Sequence, residues 1–600
     1  MLGANFIRVL KVDLGTGKCS LEDREDLFPY LGGVGVAARL LDENLHYDLD
    51  PLDPQQPLVF AIGPLSYVYP AVTKTCLMFY SPLTGELGES YAGGRSAFAL
   101  RFAGLDALVI TGRADKPVYL TVSSQGVKIK PAAPLWGASI EECGRYLREL
   151  EPGRGIRSTI RIGPAGEKRI RLANLNVDTF RHFGRLGAGA VFGAKNLKAV
   201  VILGDRQMPI PEPVHRSYRR LYRELYAKVL ETDAMHKYHD LGTAANVVPL
   251  SRIGGLPTRN LRQARFEYAE VLSGEAFAEQ SLVRQISCVG CPIGCIHVAL
   301  LRRRFGPLHE WESVFLAYDH EPIFALGSFL GLNTREKFLT LLEKIEAAGL
   351  DVISTGVLLG WATEAYQQGL ISREELGTPL EFGYLEGYLA AVEGLLQGGN
   401  DLYRTLARGT EHAASVYGGL DFALCLGKHE MTGYHTGYGA LVGQAVGCRH
   451  SHLDNAGYAL DQQPVAEDPQ ALVEAIYREE RLRCALNSLV VCLFARRVYD
   501  LETAARALEA LGIAASPEAL WDLAGRILRL KLEIKAKMGF DFRGLRFPKR
   551  FFETETPRGR LDPAQARDLV ERYLELLDRE LGLPPAPLRA APRQVPIRFS

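Results

Sequence analysis

The chain has 600 residues, of which 47% are apolar and 23% charged, and this is the mixture of a large globular protein with a sizeable core. Its 70 basic residues balance its 70 acidic ones, so bulk charge predicts binding neither to nucleic acid nor to an anionic membrane. No apolar run is long enough to span a membrane, and the first residues are typical of a strand followed by a turn, not of a secretory leader. Ten cysteines are too few for a disulfide scaffold in a chain of this length, so a cytoplasmic protein is expected.

Two kinds of pattern divide the chain. Up to about residue 205, short apolar runs such as PLVFAIGP, DALVITG and LKAVVILG are bounded by Gly, Pro or Asp, which is typical of strands. From about residue 210, segments such as AQARDLVERYLELLDREL have the three- and four-residue apolar spacing of amphipathic helices. The sequence therefore predicts an α+β fold, with a β-rich domain over 1–208, a helical domain over 209–418 and a second helical domain over 419–600.

The strongest chemical signal is the segment CVGCPIGC, which places Cys288, Cys291 and Cys295 within eight positions. Three thiols at this spacing favour a [4Fe–4S] cluster, which needs a fourth ligand. Cys492 is the preferred candidate, and its rivals are Cys425, Cys448 and Cys484. Zinc is a weaker alternative because structural zinc sites usually pair two such cysteine turns and no second CxxC occurs. Radical-SAM enzymes use the reverse order of spacings.

Three segments of the first third are rich in glycine, at 31–36, 91–96 and 184–195. Glycine lets backbone amides approach anionic oxygens closely, and Arg95 or Arg185 can add positive charge. Tight turns between strands are the alternative for each segment. None has the strand and helix context of a dinucleotide site, and GKST is absent, so an enzyme that uses nicotinamide or ATP is disfavoured.

Taken together, these segments resemble the tungsten-containing aldehyde:ferredoxin oxidoreductases over nearly the whole chain. The matching segments follow the family's order and are GGVG (32–35), GPLS (63–66), SPLTGELGESYAGG (81–94), FAGLDALVITGRA (102–114), GPAGE (163–167), GRLGAGAVFGAKNLKAV (184–200), CVGCPIGC (288–295), EWES (310–313), AAGLDVISTG (347–356) and NSLVVCLF (487–494).

The resemblance implies an N-terminal double-sheet domain that forms a base for two mainly helical domains. It further implies a tungsten or molybdenum ion between two pterins, with a [4Fe–4S] cluster close by on Cys288, Cys291, Cys295 and Cys492. A magnesium ion would bridge the two pterin phosphates. The residues that match the family's cofactor contacts are Lys74, Tyr91, Gly93, Gly94, Arg95, Phe183, Gly184, Arg185, Gly187, Glu346, Gly349, Leu350, Asp351, Asn487 and Val491, of which Tyr91 and Phe183 lie where backbone carbonyls would ligate the magnesium.

Three positions depart from the family pattern. Glu346 and Asn487 begin the two pterin motifs, 346–351 and 487–492, where the family has Asp. Glu keeps the carboxylate with a longer reach, whereas Asn keeps only an acceptor oxygen. Lys74 stands where an arginine usually links the cluster to a pterin, and an ammonium cannot reproduce the planar guanidinium. These departures leave the substrate open.

The activity that the resemblance implies is oxidation of aldehydes to carboxylic acids, with electrons passed through the cluster to ferredoxin or an iron–sulfur partner subunit. Glu312 would activate water or orient the substrate, and His452 would relay a proton. His450 and His435 are rivals for the histidine role, and a structural carboxylate beside Trp311 is the alternative for Glu312. Family members are often homodimers, so a homodimer is considered for this chain.

Two other functions remain open from the sequence. One keeps the cofactors in the catalytic subunit of a low-potential reductase complex, for example one that reduces the aromatic ring of an acyl-CoA. The other is an iron–sulfur electron-transfer protein with a degenerate pterin pocket, and Glu346 and Asn487 are the features in its favour.

Overall fold

The computed structural model describes residues 5–210, 212–305 and 310–583. Its N-terminal third contains two six-stranded mixed sheets. The first has the strand order β2-β1-β6-β3-β4-β5 and comprises β1 (Ile7–Asp13), β2 (Cys19–Arg24), β3 (Leu58–Ala61), β4 (Thr75–Tyr80), β5 (Leu87–Ala92) and β6 (Ala107–Thr111). The second has the order β11-β10-β9-β12-β7-β8 and comprises β7 (Val118–Ser123), β8 (Gly126–Pro131), β9 (Ile156–Arg161), β10 (Leu175–Val177), β11 (Arg181–Phe183) and β12 (Leu197–Gly204).

The two sheets share one apolar core. Phe60 of the first sheet packs edge-to-face on Phe183 and Phe192 of the second, with ring centroids 5.6 and 6.4 Å apart. Burial of such apolar surface stabilises the contact between the two sheets by roughly 25 cal/mol per Å² of buried area. The edge strands β5 and β11 lie against each other. Their outer carbonyl groups are therefore brought together at the junction of the two sheets.

Five helices connect the strands of this region: α1 (Gly33–Asn44), α2 (Ser96–Phe102), α3 (Ile140–Leu150), α4 (Pro164–Glu167) and α5 (Ala188–Ala194). The glycine-rich segments of the sequence lie where these helices begin. Gly32 and Gly187 are the residues before α1 and α5. Glycine at a helix start lets another chain segment approach the exposed backbone amides.

The rest of the chain is mainly helical. Its helices are α6 (His215–Leu230), α7 (Asp233–Asp240), α8 (Val247–Ile253), α9 (Gly274–Gln280), α10 (His320–Pro322), α11 (Arg335–Ala348), α12 (Val352–Gln367), α13 (Arg373–Leu376), α14 (Leu385–Gln397), α15 (Asp401–Leu406), α16 (Thr410–Tyr417), α17 (Tyr438–Val446), α18 (His452–Asn455), α19 (Gly457–Leu460), α20 (Pro469–Ser488), α21 (Leu501–Glu509), α22 (Pro517–Lys537), α23 (Arg550–Glu553) and α24 (Pro563–Leu581). A π-helical segment, Ile323–Ser328, follows α10 directly. Short 3-10 turns occupy Glu25–Tyr30, Ala133–Leu135, Glu212–Val214, Gly242–Asn246, Leu420–Phe422, Pro464–Glu467, Leu493–Ala495 and Phe542–Gly544.

The helical body also holds β-structure that the sequence patterns did not predict. An antiparallel sheet consists of β13 (Leu282–Ile286), β14 (Ile296–Phe305) and β15 (Glu310–Tyr318), and a small hairpin consists of β16 (Cys425–Leu426) and β17 (His429–Glu430). The CVGCPIGC segment is the loop between β13 and β14. A strand on each side fixes both ends of the cysteine loop.

The α+β fold class is confirmed: two sheets come first and a mostly helical region follows. One continuous apolar core runs from α1 and β4 through α11 and α12 to α22 and α24. The three domain ranges therefore stay a prediction. No helix in the described parts of the chain is long and apolar enough to cross a membrane.

Candidate cluster and cofactor site

The loop that carries three cysteines meets the segment that carries the fourth on the N-terminal domain. The amide of Cys492 donates to the carbonyl of Ala71 at 3.0 Å. The amide of Ala71 in turn donates to the carbonyl of Gly290, between Cys288 and Cys291, at 3.2 Å. One residue of the first domain thus ties together two segments that lie far apart in sequence.

The four thiols lie within electrostatic reach of one another. Burial raises the pKa of Cys291, and Cys492, Cys288 and Cys295 raise it further. Burial likewise raises the pKa of Cys295 to about 11, against the lowering effect of a nearby arginine. Mutual repulsion of this kind is relieved when the thiolates share a positively charged iron–sulfur core.

Two cations lie beside the thiols. Burial would lower the pKa of Lys74 and of Arg181, but nearby thiolates outweigh it and both pKa values are raised. The thiolates with the largest effect are Cys492 and Cys288 on Lys74, and Cys288 and Cys295 on Arg181. Lys74 and Arg181 also outweigh the effect of burial on Cys288, whose pKa is lowered. A thiolate is the form that binds metal, so this charge arrangement favours cluster ligation.

Close packing at Gly93 confirms how tight this site is. A side chain there would bring Cβ within 2.5 Å of the Sγ of Cys288 and 3.2 Å of the Nζ of Lys74. Among the described residues, no three His, Cys, Asp or Glu side chains stand close enough to hold a single metal ion.

The segment 346–351 lies against the second sheet. A Cβ on Gly163 would collide with the carbonyl oxygen of Ala348, and one on Gly349 would come within 2.8 Å of the amide nitrogen of Gly163. Asn174 donates from its amide to Gly349 O at 2.9 Å and from its side chain to Leu350 O at 2.8 Å. We call this contact the first cradle.

Charged side chains surround the first cradle. Asp351 caps α12, accepting from the amide of Ile353 at 3.0 Å, and its other oxygen accepts from Arg185 Nε at 3.3 Å. Arg185 also donates through Nη2 to the carbonyl of Glu430 at 2.9 Å, whereas its Nη1 is buried with no partner. Glu346 lies 2.7 Å from His182. A buried unsatisfied guanidinium nitrogen is rare and fits an anionic or acceptor-rich cofactor.

The segment 487–492 lies in the same way against the first sheet, and we call this contact the second cradle. A Cβ on Gly33 would collide with the carbonyl oxygen of Asn487, and one on Gly63 would reach within 2.6 Å of the carbonyl carbon of Leu489. The amide of Lys74 donates to Val490 O at 3.3 Å. Val491 is a buried core residue of this segment.

The remaining cofactor candidates lie around the junction of the sheets. Gly94 has a positive φ of 95°, and Asp178 accepts from the amide of Arg95 at 2.8 Å. Gly187 also has a positive φ, and a Cβ there would lie 2.5 Å from a backbone oxygen. The other three candidates near this junction are Tyr91 at the end of β5, Phe183 at the end of β11 and Gly184 directly after it.

The structure does not bring Glu312 to this site, so that prediction needs correction. Glu312 lies on β15, paired in register with Arg303, and its carboxylate forms an ion pair with the same arginine. Six residues of extended strand, about 20 Å, separate it from Tyr318 at the end of β15. Its side chain is 39% exposed. The structural alternative therefore applies to Glu312.

A different carboxylate lies in the interior. Glu321, in α10, accepts from the amide of Gly433 at 3.0 Å, and its other oxygen is 3.3 Å from Nε2 of His452. Tyr434 and Tyr458 stack at 3.9 Å, and the Tyr434 ring also lies 5.4 Å from that of His452. His452, predicted from the sequence, thus faces a carboxylate that sequence reasoning missed.

Burial controls the charge of this pair. Burial raises the pKa of Glu321 to about 8, with Asp319 and Asp351 adding to the effect and Arg185 opposing it. Burial also lowers the pKa of His452 well below its usual value, and Arg185 lowers it further. Near neutral pH the pair therefore consists of a carboxylic acid and a neutral imidazole that face each other, and no hydrogen bond joins Glu321 Oε1 to His452.

The rival histidines are engaged elsewhere. His450 lies in a buried ionic cluster, 3.1 Å from Glu86 and 2.9 Å from Lys535. His435 contacts the carbonyl oxygen of Thr554 at 3.0 Å through Nε2. Neither reaches Glu321, so His452 remains the histidine candidate.

Glu321 and His452 keep side-chain exposures of 16% and 12% although protein surrounds them closely. Arg185 keeps 14%, and His182 and Glu346 keep 20% and 22%. We call the region between these partly accessible polar groups the candidate pocket. The donor set around it, with cations, an unsatisfied guanidinium and two glycine cradles, fits a large anionic cofactor.

Comparisons with known proteins agree with this geometry. The family model described as the N-terminal domain of aldehyde ferredoxin oxidoreductase matches residues 9–204, and that of its domains 2 and 3 matches residues 220–584. The tungsten-containing aldehyde ferredoxin oxidoreductase of Pyrococcus furiosus is 31% identical over 613 residues, covering 95% of this chain and 96% of its own.

Two further relatives broaden the range of activities. A protein named aliphatic sulfonate oxidoreductase, WOR-like subunit, also from Pyrococcus furiosus, is 30% identical and covers 68% of this chain and 66% of its own. A chain in the structure of the active site complex of benzoyl coenzyme A reductase with 1,5-dienoyl-CoA has the same fold, with a TM-score of 0.79 at 20% identity, over 95% of this chain and 94% of that chain. With both family models matched in order across nearly its whole length, the chain belongs to the aldehyde ferredoxin oxidoreductase family of oxidoreductases.

Proposed function

We propose that the protein oxidises aldehydes to carboxylic acids at a tungsten–pterin centre. The observation that carries the proposal is the buried pair of Glu321 and His452, enclosed in one interior with the four converging cysteines and the two cradles. The names of the most similar curated relatives, at about 30% identity, support tungsten over molybdenum and aldehydes as the substrate class.

The side chains divide into cluster and pterin ligands. Cys288, Cys291, Cys295 and Cys492 would hold a [4Fe–4S] cluster, with Lys74 beside it. Each cradle would hold one pterin: the first through Arg185, Glu346 and Asp351, and the second through the 487–492 segment. Magnesium would take the backbone carbonyls near Tyr91 and Phe183, where the edge strands meet. When bound, the tungsten centre accepts the two electrons of the oxidation, and the cluster transfers them singly.

The overall reaction converts an aldehyde and water into a carboxylic acid, two electrons and two protons. Glu321 would take a proton from the attacking water, because a carboxyl with a pKa near 8 can accept and release protons close to neutral pH. His452, neutral and with one N–H, would donate a hydrogen bond to the aldehyde oxygen. The stacked rings of Tyr434 and Tyr458 would keep bulk water from the apolar part of the substrate.

An activity assay on matched variants tests this proposal. Aldehyde-dependent reduction of a viologen dye should fall at least about 100-fold in Glu321→Gln, the usual scale for loss of a general base. Glu312→Gln should stay within about twofold of the wild type, because Glu312 is an exposed partner of Arg303. Equal loss in both variants, or loss in Glu312→Gln alone, contradicts the assignment.

Electrons would leave through ferredoxin or an iron–sulfur partner subunit, as the relatives' names indicate for those proteins. A homodimer and a cytoplasmic location remain expectations from the sequence. Gel filtration of the anaerobically purified protein checks whether it is a homodimer. An iron–sulfur subunit that co-purifies with it would identify a partner subunit as the electron acceptor.

A second candidate is reduction of an aromatic acyl-CoA ring. The structural likeness to the benzoyl coenzyme A reductase complex favours it, together with a carboxyl that is protonated at neutral pH and can donate. Dienoyl-CoA oxidation with a viologen dye separates the two candidates: turnover of the thioester without turnover of simple aldehydes selects the second. The third function, a degenerate pocket, is disfavoured by the intact contact between Arg185 and Asp351.

A further inference from the structure

A cleft of about 370 Å³ lies apart from the residues used above. It is formed by the turn between β4 and β5, the start of α16, the loop before β17, and Arg171 and Arg546. Parts of the chain that are distant in sequence thus form its walls, and nothing in the proposed reaction uses it.

Positive charge dominates the cleft. Its walls carry Arg171, Arg408, Lys428 and Arg546 against a single carboxylate, Glu411. Glu411 lies 3.9 Å from Arg546 and its pKa is raised by burial, which weakens its opposing charge. Within the described residues, the side chains of the other three cations form no ion pair and no hydrogen bond.

These cations repel one another. The pKa of Arg171 is lowered by burial first and then by Arg408. Burial also lowers the pKa of His412 on the same wall, and Arg408 and Arg171 lower it further. A bound anion would remove this repulsion, because like charges near one another destabilise the folded protein until a counter-charge is present.

Two buried polar atoms in the cleft have no hydrogen-bond partner. Thr84 is 2% exposed, and its Oγ1 has no hydrogen bond. The Nη2 of Arg546 is also buried without one. Helix α16 begins at the cleft, with Gly409 as the residue before it, so its positive end adds to the field. Unsatisfied buried groups of this kind indicate a missing ligand.

We propose that this cleft binds the phosphate group of a small molecule. Three unpaired cations and a hydroxyl suit a dianion with several oxygens better than a monovalent carboxylate, and guanidinium groups match phosphate oxygens in geometry. The phosphate belongs either to the substrate itself or to a free phosphate compound that acts as an effector.

The cleft adjoins the first cradle. Thr410, next to Gly409, donates to the Glu430 carboxylate at 3.1 Å, and Ser354 donates to its other oxygen at 2.7 Å. Arg185 of the cradle donates to the backbone carbonyl of Glu430. A phosphate at the start of α16 would therefore be separated from the first cradle by one buried side chain, that of Glu430. Binding of phosphate in the cleft can then affect the proposed pterin pocket.

Calorimetric titration of the full-length protein with inorganic pyrophosphate, at constant ionic strength set with sodium chloride, tests the proposal. We expect one saturable site with a dissociation constant below about 1 mM. The double variant Arg408→Gln/Lys428→Gln should bind at least tenfold more weakly. The control Arg404→Gln/Lys228→Gln removes the same charge from exposed sites outside the cleft and should bind as the wild type does.

Absence of saturable binding, or equal weakening in both double variants, overturns the proposal, and neither result depends on the tungsten centre. The source of the phosphate is resolved by comparing a phosphorylated aldehyde with its unphosphorylated counterpart. A KM that rises in the cleft variant only for the phosphorylated aldehyde identifies substrate phosphate. Unchanged KM values, with pyrophosphate binding lost in the variant, identify a free effector.

Discussion

The two cradles are built in the same way but differ in the side chains that surround them. In each, a glycine of the N-terminal domain approaches the backbone of a helical-region motif so closely that no side chain fits, at Gly163 in the first and Gly33 in the second. The first cradle carries the charged pair of Arg185 and Asp351. The second has Asn487 in place of a carboxylate and ends in Cys492, at the cluster.

The close backbone contact in each cradle is therefore independent of the charged side chains that surround it. Both cradles keep the close contact that shapes the pocket. The first carries the charged pair of Arg185 and Asp351, whereas the second lies beside Lys74 and ends in Cys492, which raises the pKa of Lys74 against the effect of burial. The two pterins would therefore sit in unequal environments, with one of them next to the path of the electrons.

Removing the proposed cluster ligand at the end of the second cradle should have the largest effect. Cys492→Ser should lose most of its iron and the electron paramagnetic resonance signal of a reduced [4Fe–4S] cluster, because a cubic cluster needs four thiolates. Cys484→Ser is the matched control, since Cys484 is buried in the preceding helix and was a rival candidate. Iron retained in Cys492→Ser but lost in Cys484→Ser would contradict the assignment.

Removing the charge of the first cradle should have the next largest effect. Asp351→Asn leaves Arg185 without its buried carboxylate, a loss of about 1.5–3 kcal/mol for a charged hydrogen bond. The affinity for the tungsten cofactor should therefore fall roughly 10- to 100-fold, at about 1.4 kcal/mol per factor of ten, and less tungsten should be bound per chain. Asn487→Asp restores the family residue in the second cradle and should not lower tungsten content. Equal losses of tungsten in the two variants would show that the two cradles do not differ in this way.

Close approach can be separated from backbone strain with three alanine substitutions. Gly33→Ala should destabilise the protein by about 2–4 kcal/mol, because its Cβ would collide with a backbone carbonyl. Gly349→Ala meets the Gly163 amide at 2.8 Å and should cost about 2 kcal/mol. Gly17→Ala has a positive φ of 70° and open space, and should cost only about 1 kcal/mol. Denaturant unfolding measures the loss of unfolding free energy in all three variants. If Gly17→Ala destabilises the protein as much as Gly33→Ala does, backbone strain alone explains the losses.

The smallest expected effect is a pH dependence. The pKa of Glu321 is raised to about 8, so the carboxylate that acts as base is present above that pH and lost below it. kcat/KM for aldehyde oxidation should therefore rise up to tenfold per pH unit below about 8 and level off above it. A profile that is flat between pH 6 and about 9, or falls with rising pH, would exclude Glu321 as the base.

The sequence was sufficient for the fold class, because strands and helices leave local apolar patterns. The four cluster thiols stay a prediction from their spacing and from the family resemblance. Short apolar runs predicted the two sheets, and the spacing of Cys288, Cys291 and Cys295 predicted a turn that could hold a cluster. The antiparallel sheet of β13–β15 was missed, since its strands carry arginines and glutamates on exposed faces. Alternation of that kind resembles a polar loop when no partner strand is known.

The carboxylate that we propose as the base could not be found in the same way. Glu312 and Glu321 lie nine residues apart, and nothing local to either shows which one is buried. β15 places Glu312 on an exposed strand and ends just before Glu321, whose carboxylate lies near His452. One signal was present: Asp319, His320 and Glu321 form a dense run of titratable residues directly before an apolar segment, which is unusual for a surface turn.

We propose that each chain holds one [4Fe–4S] cluster beside one tungsten centre. Elemental analysis of the anaerobically purified wild-type protein, counted per chain, measures this directly. We predict roughly four irons and one tungsten. A protein that contains zinc in place of iron, or that contains iron but takes up neither tungsten nor molybdenum when both are supplied during expression, would contradict the account.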